Sequence, residues 1–494
     1  MDRRDFLKSS GSLKLAGLAT SMIPSCAAGS SDKGKLAKFE VKDSFRTQVL
    51  VVGGGPSGIT AAIAAARQGM KVMLVEQGAC LGGMATRGLV QPFMTCYDMS
   101  GEQMIIRGLF EEIVDRMVAM GGAIHPKDVR WETPYTAWMK EGHDHETPFD
   151  PEIMKVAVER MTLESGVKIL YHAAFVTTET KNDRIDKVVL LTRKGLESVT
   201  ADFVIDTTGD GDVSASAGVP FYYGNGEGGV QPSTLFLRLN NVESDKLIAD
   251  VESHLGEFRR VNGVSYRALH WFVEKAENNG EWDIKRKSVN LHKCVREDEW
   301  SVNVTRILDV NSLDSESMTA GEIEGRRQVE QVVNFFHKYV PGCKNATLMK
   351  TAETLGIRES RHIIGDFVLN AEDLLNGVVP EDSILLASNS VDVHGGQGAT
   401  NTTNYTLMKN GNWYGVPYRA LVPKEITNLL VAGRPLSATS DAAGAVRVMP
   451  PCMAMGQAAG IAAALCIKEG GKAAKDVDME HLLKTLKDNK AFLG

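Results

Sequence analysis

Apolar and polar positions along this chain alternate between two signatures, short β-branched runs and longer Ala-, Leu- or Met-rich stretches. That order suits a parallel sheet covered by helices. Residues 48–52 are an apolar run that predicts a buried strand, residues 59–68 are Ala-rich and predict a helix, and residues 71–75 are a second apolar run ending at Glu76. Residues 110–120 read as an amphipathic helix, and residues 150–166 as a helix with Asp150 as N-cap and Pro151 in its first turn. Strands are predicted over 167–176, 187–193 and 198–205, the last two forming a hairpin, followed by a short helix at 213–217 and a strand at 231–239. A long amphipathic helix spans 319–339. Residues 391–396 are a short strand breaking into a glycine loop, and 414–419 and 428–434 are further strands. Residues 452–468 form a helix opened by Pro450-Pro451, and residues 476–494 a charged helical tail.

The turn between the first strand and the first helix carries chemistry. Gly53-Gly54-Gly55-Pro56-Ser57-Gly58 supplies G-x-G-x-x-G, and Glu76 follows about 20 residues later. Gly53 permits the tight turn, Gly55 lets backbone approach a pyrophosphate, and Gly58 lets helix and strand pack closely. The free N–H groups and positive dipole of the helix favour phosphate, and the Glu76 carboxylate suits ribose hydroxyls. A dinucleotide site is expected here.

Composition narrows the alternatives. A chain of 494 residues, 43% hydrophobic, buries a large core, and a net charge of −7 leaves no nucleic-acid footprint. Seven cysteines lie without CxxC or CxxCH spacing, so buried free thiols are expected rather than a disulfide framework or haem attachment. Beyond the first thirty residues no apolar run reads as a membrane span. Within the polar segment 125–149, His143-Asp144-His145-Glu146 has two His at i and i+2 but no third ligand nearby. A solvated loop is expected there and no metal. His270, His292 and His337 read as structural or exposed.

The first thirty residues read as an address. Arg3-Arg4-Asp5-Phe6-Leu7-Lys8 resembles the twin-arginine export motif, and a mildly apolar segment follows. Ile23-Pro24-Ser25-Cys26 resembles a lipoprotein cleavage site with Cys26 as the lipidated residue. Residues 27–38 would then be a polar tether. Periplasm or a membrane-anchored lipoprotein is the expected location.

A second glycine turn, Gly82-Gly83-Met84, follows the acidic strand end, and the whole arrangement resembles the glutathione-reductase-like FAD flavoproteins. In that fold the Gly-Gly loop lies against pyrophosphate and ribitol, and the main chain near Phe175-Val176 holds the adenine. Asp206-Thr207-Thr208-Gly209-Asp210-Gly211-Asp212 is similar to a segment of a narrower group, the FAD-dependent oxidoreductases distantly related to fumarate reductase flavoprotein subunits. There Gly209 and Gly211 pass close to the FAD, and Asp210 or Asp212 caps the following helix. Gly356-Ile357-Arg358-Glu359-Ser360-Arg361 and Tyr414-Gly415-Val416-Pro417-Tyr418-Arg419 resemble segments of the same group. So does the strand ending Ala432-Gly433-Arg434, where Arg434 replaces an Asp of the wider superfamily.

The resemblance implies an α/β protein with a glutathione-reductase-like (Rossmann) FAD-binding domain, discontinuous over 46–239 and 346–475. An inserted α+β substrate or cap domain takes 240–345, a leader 1–30, a linker 31–45 and a tail 476–494. It implies FAD held by Gly53, Gly55, Pro56, Ser57, Gly58, Glu76, Gln77, Gly82, Gly83, Met84, Val176, Thr208, Gly209, Asp210, Gly433, Arg434 and Gly456. The implied reaction is hydride transfer between a small organic substrate and flavin N5. Arg358 and Arg361, taken as i and i+3 on one helical face, and Arg447 would orient anionic substrate or flavin charge. His394, with Asp392 as orienting partner, or a tyrosine such as Tyr418 would move the proton. No second G-x-G-x-x-G marks an NAD(P)H domain, so a quinone, a cytochrome or another envelope partner is expected to exchange electrons. Three alternatives stay open. One is a fumarate-reductase-like enoate reductase, and another a non-enzymatic ligand-binding surface lipoprotein. The third, a flavin monooxygenase or halogenase, is disfavoured because Trp413 lacks the second spaced tryptophan of W-x-W-x-I-P. Residues 82–90 contain no His for a covalent FAD link.

Overall fold

The computed structural model describes residues 40–494 except 141, 396–401 and 472. The leader, with Arg3-Arg4 and Cys26, lies outside the described residues. β1 (Lys42–Val52), α1 (Pro56–Arg67) and β2 (Val72–Val75) form the predicted βαβ unit, with Val49 opposite Val72 and Val52 opposite Val75 in parallel register. Val49, Leu50 and Val51 are fully buried, because a parallel strand covered on both faces has no solvent side.

The sheet grows on both sides of that unit. β3 (Lys168–Leu170) pairs in parallel beyond β2, and β4 (Ala174–Lys181), β5 (Arg184–Thr192) and β6 (Gly195–Asp206) complete the order β3-β2-β1-β6-β5-β4. The expected strand 167–176 is therefore two strands. β6 is long enough to do two jobs. Its first residues form the expected hairpin with β5, and Val204–Asp206 pair in parallel with the strand Leu429–Val431. That pairing returns the chain to the sheet more than two hundred residues later and makes it a seven-stranded mixed sheet.

The helix Met449–Lys468 covers α1. A Cβ on Gly456 would stand 2.1 Å from the Ser57 carbonyl oxygen and one on Gly460 2.2 Å from that of Ala61, so small residues let the two helices nearly touch. This helix has the length and apolarity of a membrane span, contrary to expectation, and 89% of its apolar 18-residue window is buried in the core.

A four-stranded antiparallel sheet, Asn290–Lys293, Trp300–Asn303, Leu237–Asn240 and Thr347–Thr351, forms a second layer system. It shares a core with the helix Ser315–Tyr339 through Trp300, Val329, Val332 and Phe336. Only residues from Leu237 onward of the expected strand 231–239 are extended; the preceding ones bridge to Ile307 and Gly356. Residues 357–360 are irregular and Arg361–Ile363 is a strand, so the helix assumed for Arg358 and Arg361 does not exist.

Candidate active site

One cavity of about 680 Å³ runs from the glycine turn after β1 to the strand Val391–His394. At its first end the lining includes Gly53, Gly55, Pro56, Ser57, Glu76, Gln77, Gly83, Met84, Thr208, Gly209, Asp210, Gly433 and Arg434. The local geometry explains the turn. Gly53 sits at φ +106° and a Cβ there would stand 2.4 Å from the Thr207 carbonyl oxygen, so the ends of β1 and β6 meet only through glycine. A Cβ on Gly58 would lie 1.8 Å from the Gly53 oxygen, whereas one on Gly55 meets nothing within 4 Å. Gly58 is therefore for packing, and Gly55 opens onto the cavity. Glu76 accepts from Gly54 N–H at 2.8 Å and from Gly78 N–H at 2.7 Å, which fixes its carboxylate at the cavity wall with a lone pair left on each oxygen.

Four expected cofactor residues do not line the cavity. Gly58 and Gly456 lie at the contact of α1 with its neighbours. Gly82 ties the two glycine loops together by donating its N–H to the Gly54 oxygen at 2.8 Å. Val176 is 45% exposed, and Ala173 and Phe175 line the wall in its place. The aspartates of the 206–212 segment also take other roles than expected. Asp206 caps the helix Asp212–Ser216, accepting from Ser214 N–H at 2.8 Å, while Asp210 pairs with Arg434 at 2.9 Å and Asp212 with Arg361 at 2.8 Å.

The second end gathers Arg286, Arg358, Asp392, His394, Tyr405 and Arg447, with His143 and His292 on the wall beside them. Arg447 follows the helix Ser440–Val446 and donates to the Arg358 carbonyl at 2.7 Å and to Gln231 Oε1 at 3.0 Å. Arg358 donates to the Pro232 carbonyl and Arg286 to that of Asn303 at 2.8 Å. His394 Nε2 lies 3.3 Å from Asp392 Oδ2 and its Nδ1 3.1 Å from Thr403 Oγ1. The N-terminus of the helix Met449–Lys468 reaches the same cavity through Val448, Met449 and Cys452, with no side-chain cap.

Charge dominates this end. Burial pushes Arg286 down to about 10 with help from Arg267; Arg358 is driven well below the usual range by burial and by Arg286, Arg447 and Arg306. Burial alone would raise the Asp392 carboxyl, but His394 and Arg447 hold it well below the usual carboxylate range. Burial and Arg358 push His394 down to about 3 against the pull of Asp392, so its imidazole is neutral near pH 7.

Other residues were missed or misplaced by sequence reasoning. His143-Asp144-His145-Glu146 is buried, not solvated: Glu146 is fully enclosed, with His143 Nδ1 2.5 Å from Oε1 and His292 Nδ1 3.6 Å from Oε2. Burial pushes Glu146 up to about 8 and His143 down to about 3, so the pair is a carboxylic acid beside a neutral imidazole. The i, i+3 spacing was the available signal. His270 is buried beside Glu257 and Trp271, away from the cavity, and His337 bonds the Ala346 carbonyl. Tyr418 is not at the site; its hydroxyl donates to the Ala474 carbonyl at 2.8 Å, and Arg419 pairs with Asp382 at the surface. Arg361 is absent from the wall; it opens the strand Arg361–Ile363 and its guanidinium is held by the Asp210 carbonyl at 3.0 Å and by Asp212 at 2.8 Å.

The first end fits FAD. The N-terminus of α1 has no side-chain cap and no acidic residue in its first turn, the open side of Gly55 faces the cavity, and Nη1 of the lining Arg434 is buried without a partner. Those donors, with Glu76, would hold pyrophosphate, ribose and ribitol oxygens. Six cysteines are free thiols among the described residues, five of them buried.

One comparison with known proteins names the cofactor. A family model described as FAD dependent oxidoreductase matches residues 48–486. The thiamine thiazole synthase of Aeropyrum pernix is 28% identical over 180 residues, covering 34% of this chain and 57% of that protein, so the chain spans little more than half of that relative's length. Among solved structures, a geranylgeranyl bacteriochlorophyll reductase-like protein from Thermoplasma acidophilum is 13% identical, covering 91% of this chain and 84% of that one, with a TM-score of 0.40. The p-nitrophenol 4-monooxygenase PnpA from Pseudomonas putida DLL-E4 is 12% identical, covering 91% and 90%, with a TM-score of 0.44.

Proposed function

We propose a reaction for a chain that belongs to the FAD-dependent oxidoreductase family: it passes a hydride between a small anionic organic substrate and the cofactor. The observation that carries this reading is the single cavity joining the glycine turn and Glu76 to Arg358, Arg447, Asp392 and His394. FAD supplies the two-electron acceptor or donor at its N5. The protein does the rest. Arg358 and Arg447 bind and orient the negative charge of the substrate, and the uncapped helix N-terminus at Val448–Met449 adds positive dipole. In the oxidative direction a substrate C–H bond breaks as hydride and the accompanying O–H proton passes to His394 Nδ1, the nitrogen that keeps its lone pair when Nε2–H faces the Asp392 carboxylate. In the reductive direction the same group returns the proton to an unsaturated acid. Asp392 fixes the His394 ring, and an arriving anion offsets Arg358 and raises the basicity of the imidazole.

The finer architecture belongs to the same reading. Residues 46–239 and 346–475 form a glutathione-reductase-like FAD domain related to fumarate reductase flavoproteins, 240–345 form its substrate cap, and 476–494 the tail. Arg3-Arg4 and the residues after them support export through the twin-arginine route, with Cys26 as a lipid anchor. Location in the envelope supports a quinone or cytochrome as electron partner.

The test is anaerobic visible spectroscopy of purified protein. Bleaching of the flavin band by an anionic hydroxy compound, or its recovery when an unsaturated acid meets dithionite-reduced protein, is the expected result. A preparation that stays colourless after refolding with FAD overturns the reading.

A further inference from the structure

The cationic end of the cavity carries more charge than its own residues use. Three other buried or half-buried arginines of this protein face a carboxylate: Arg238 meets Glu299 at 2.7 Å, Arg361 meets Asp212 at 2.8 Å and Arg434 meets Asp210 at 2.9 Å. Arg286, Arg358 and Arg447 do not. Among the described residues their hydrogen bonds go to backbone carbonyls and to Gln231 Oε1. Five further acidic or cationic groups bear on this end. Glu76, Asp210 and Asp212 are committed elsewhere, to backbone amides, Arg434 and Arg361, which among the described residues leaves Asp392 as the one lining carboxylate near these arginines. Asp392 directs its Oδ2 to His394, and Arg306 adds a further cation behind the wall, bonding the carbonyls of Gly395 and Thr402.

Guanidinium groups remain charged when buried, and like charges gathered in one place are costly unless an anion joins them. With Asp392 set against one of the three cations Arg286, Arg358 and Arg447, two positive charges remain. A guanidinium carries five N–H donors in a planar fork, and Arg286 and Arg358 each show one in use, so donors remain for carboxylate or phosphate oxygens. Arg286 comes from the segment 240–345 and Arg358 and Arg447 from the segment 346–475, so an anion bound here draws on both segments.

We infer that the substrate of this site is a small organic dianion, with Arg286 binding one negative group and Arg358 and Arg447 the other. This rests on the proposed hydride reaction and deepens it by naming the substrate class. Two negative groups arise in a dicarboxylate or in a doubly charged phosphate ester; a monocarboxylate or an uncharged sugar leaves the arginines underused.

The inference is tested on FAD-loaded protein at fixed ionic strength. Succinate and tartrate, glycerol 3-phosphate, and the monoanions acetate and lactate are titrated while the flavin spectrum and the thermal transition are followed. At least one dianion is expected to bind tenfold or more tightly than either monoanion; preference for the dicarboxylates or for the phosphate ester identifies which dianion it is. Arg286→Gln is expected to lose at least tenfold in dianion affinity while retaining its flavin, and Arg286→Lys to recover part of it. Arg447→Lys provides a second probe if Arg286→Gln does not fold. Monoanions binding as tightly as dianions to a flavin-loaded protein, or Arg286→Gln and Arg447→Lys binding dianions like the parent, would overturn the dianion assignment alone. Absence of flavin would instead overturn the hydride reading.

Discussion

The two ends of the cavity are built on different principles. The FAD end is made mainly of backbone: Gly53, Gly55 and Gly58 lie within one turn, and their work is to be small. The arginine end is made of side chains drawn from Arg286, Arg358, Asp392, His394 and Arg447, which come together only when the second sheet packs beside the first. A backbone site is tied to folding, because the contacts that shape it also join strand to helix. A side-chain site of like charges works against folding and persists for what it binds.

Substitutions can break that comparison, beginning with the largest expected effect. Gly58→Ala puts a methyl group 1.8 Å from the Gly53 oxygen and is expected to cost about 3 kcal/mol, with a large fall in Tm and loss of bound flavin. Gly55→Ala meets nothing within 4 Å, so its flavin-free Tm should match the parent while flavin content falls. Equal Tm losses in the two would show that the turn is structural throughout.

Arg358→Met addresses the other end. Losing a charge-assisted grip on the substrate is worth about 1.5–3 kcal/mol, or roughly tenfold to more than a hundredfold in kcat/KM. The flavin-free Tm should rise, because a buried like charge is gone. A fall in both quantities would mark Arg358 as a structural cation.

The pH dependence separates the ends further. With its folded value pushed down to about 3, His394 stays neutral where an unfolded imidazole of about 6.5 takes a proton. Its contribution is complete above the unfolded value and is lost as pH falls from there toward 3. The Tm of the parent should therefore drop more between pH 7 and pH 5 than that of His394→Gln. Parallel Tm curves would contradict the depressed imidazole.

The smallest effects fall outside the cavity. Tyr418→Phe removes one buried hydrogen bond, worth about 1 kcal/mol, and Arg419→Ala an exposed ion pair worth about 0.5 kcal/mol. Neither should alter flavin content or substrate affinity.

The contrast also explains what could be read from sequence. The glycine turn, Glu76 and the helix at 150–166 were legible because their logic is local: a spacing, a cap, a period. Asp206 was not recognised as the cap of the helix Asp212–Ser216, since three aspartates in one short run offer the same chemistry and only the turn decides among them. Arg358 and Arg361 were placed together by a helical period the chain does not adopt. His143 and Glu146 lay in a segment without periodicity, which reads as solvated until the second sheet covers it. Arg286 carried no local signal, because its partners lie far along the chain.

The most direct measurement is a crystal structure of the FAD-loaded protein grown with tartrate or glycerol 3-phosphate. The pyrophosphate is expected at the N-terminus of α1, a ribose on Glu76, and the dianion between Arg286 and the Arg358–Arg447 pair. A flavin lying across those arginines with no room for the dianion, or a pyrophosphate anywhere other than the Gly53–Gly58 turn, would contradict that arrangement.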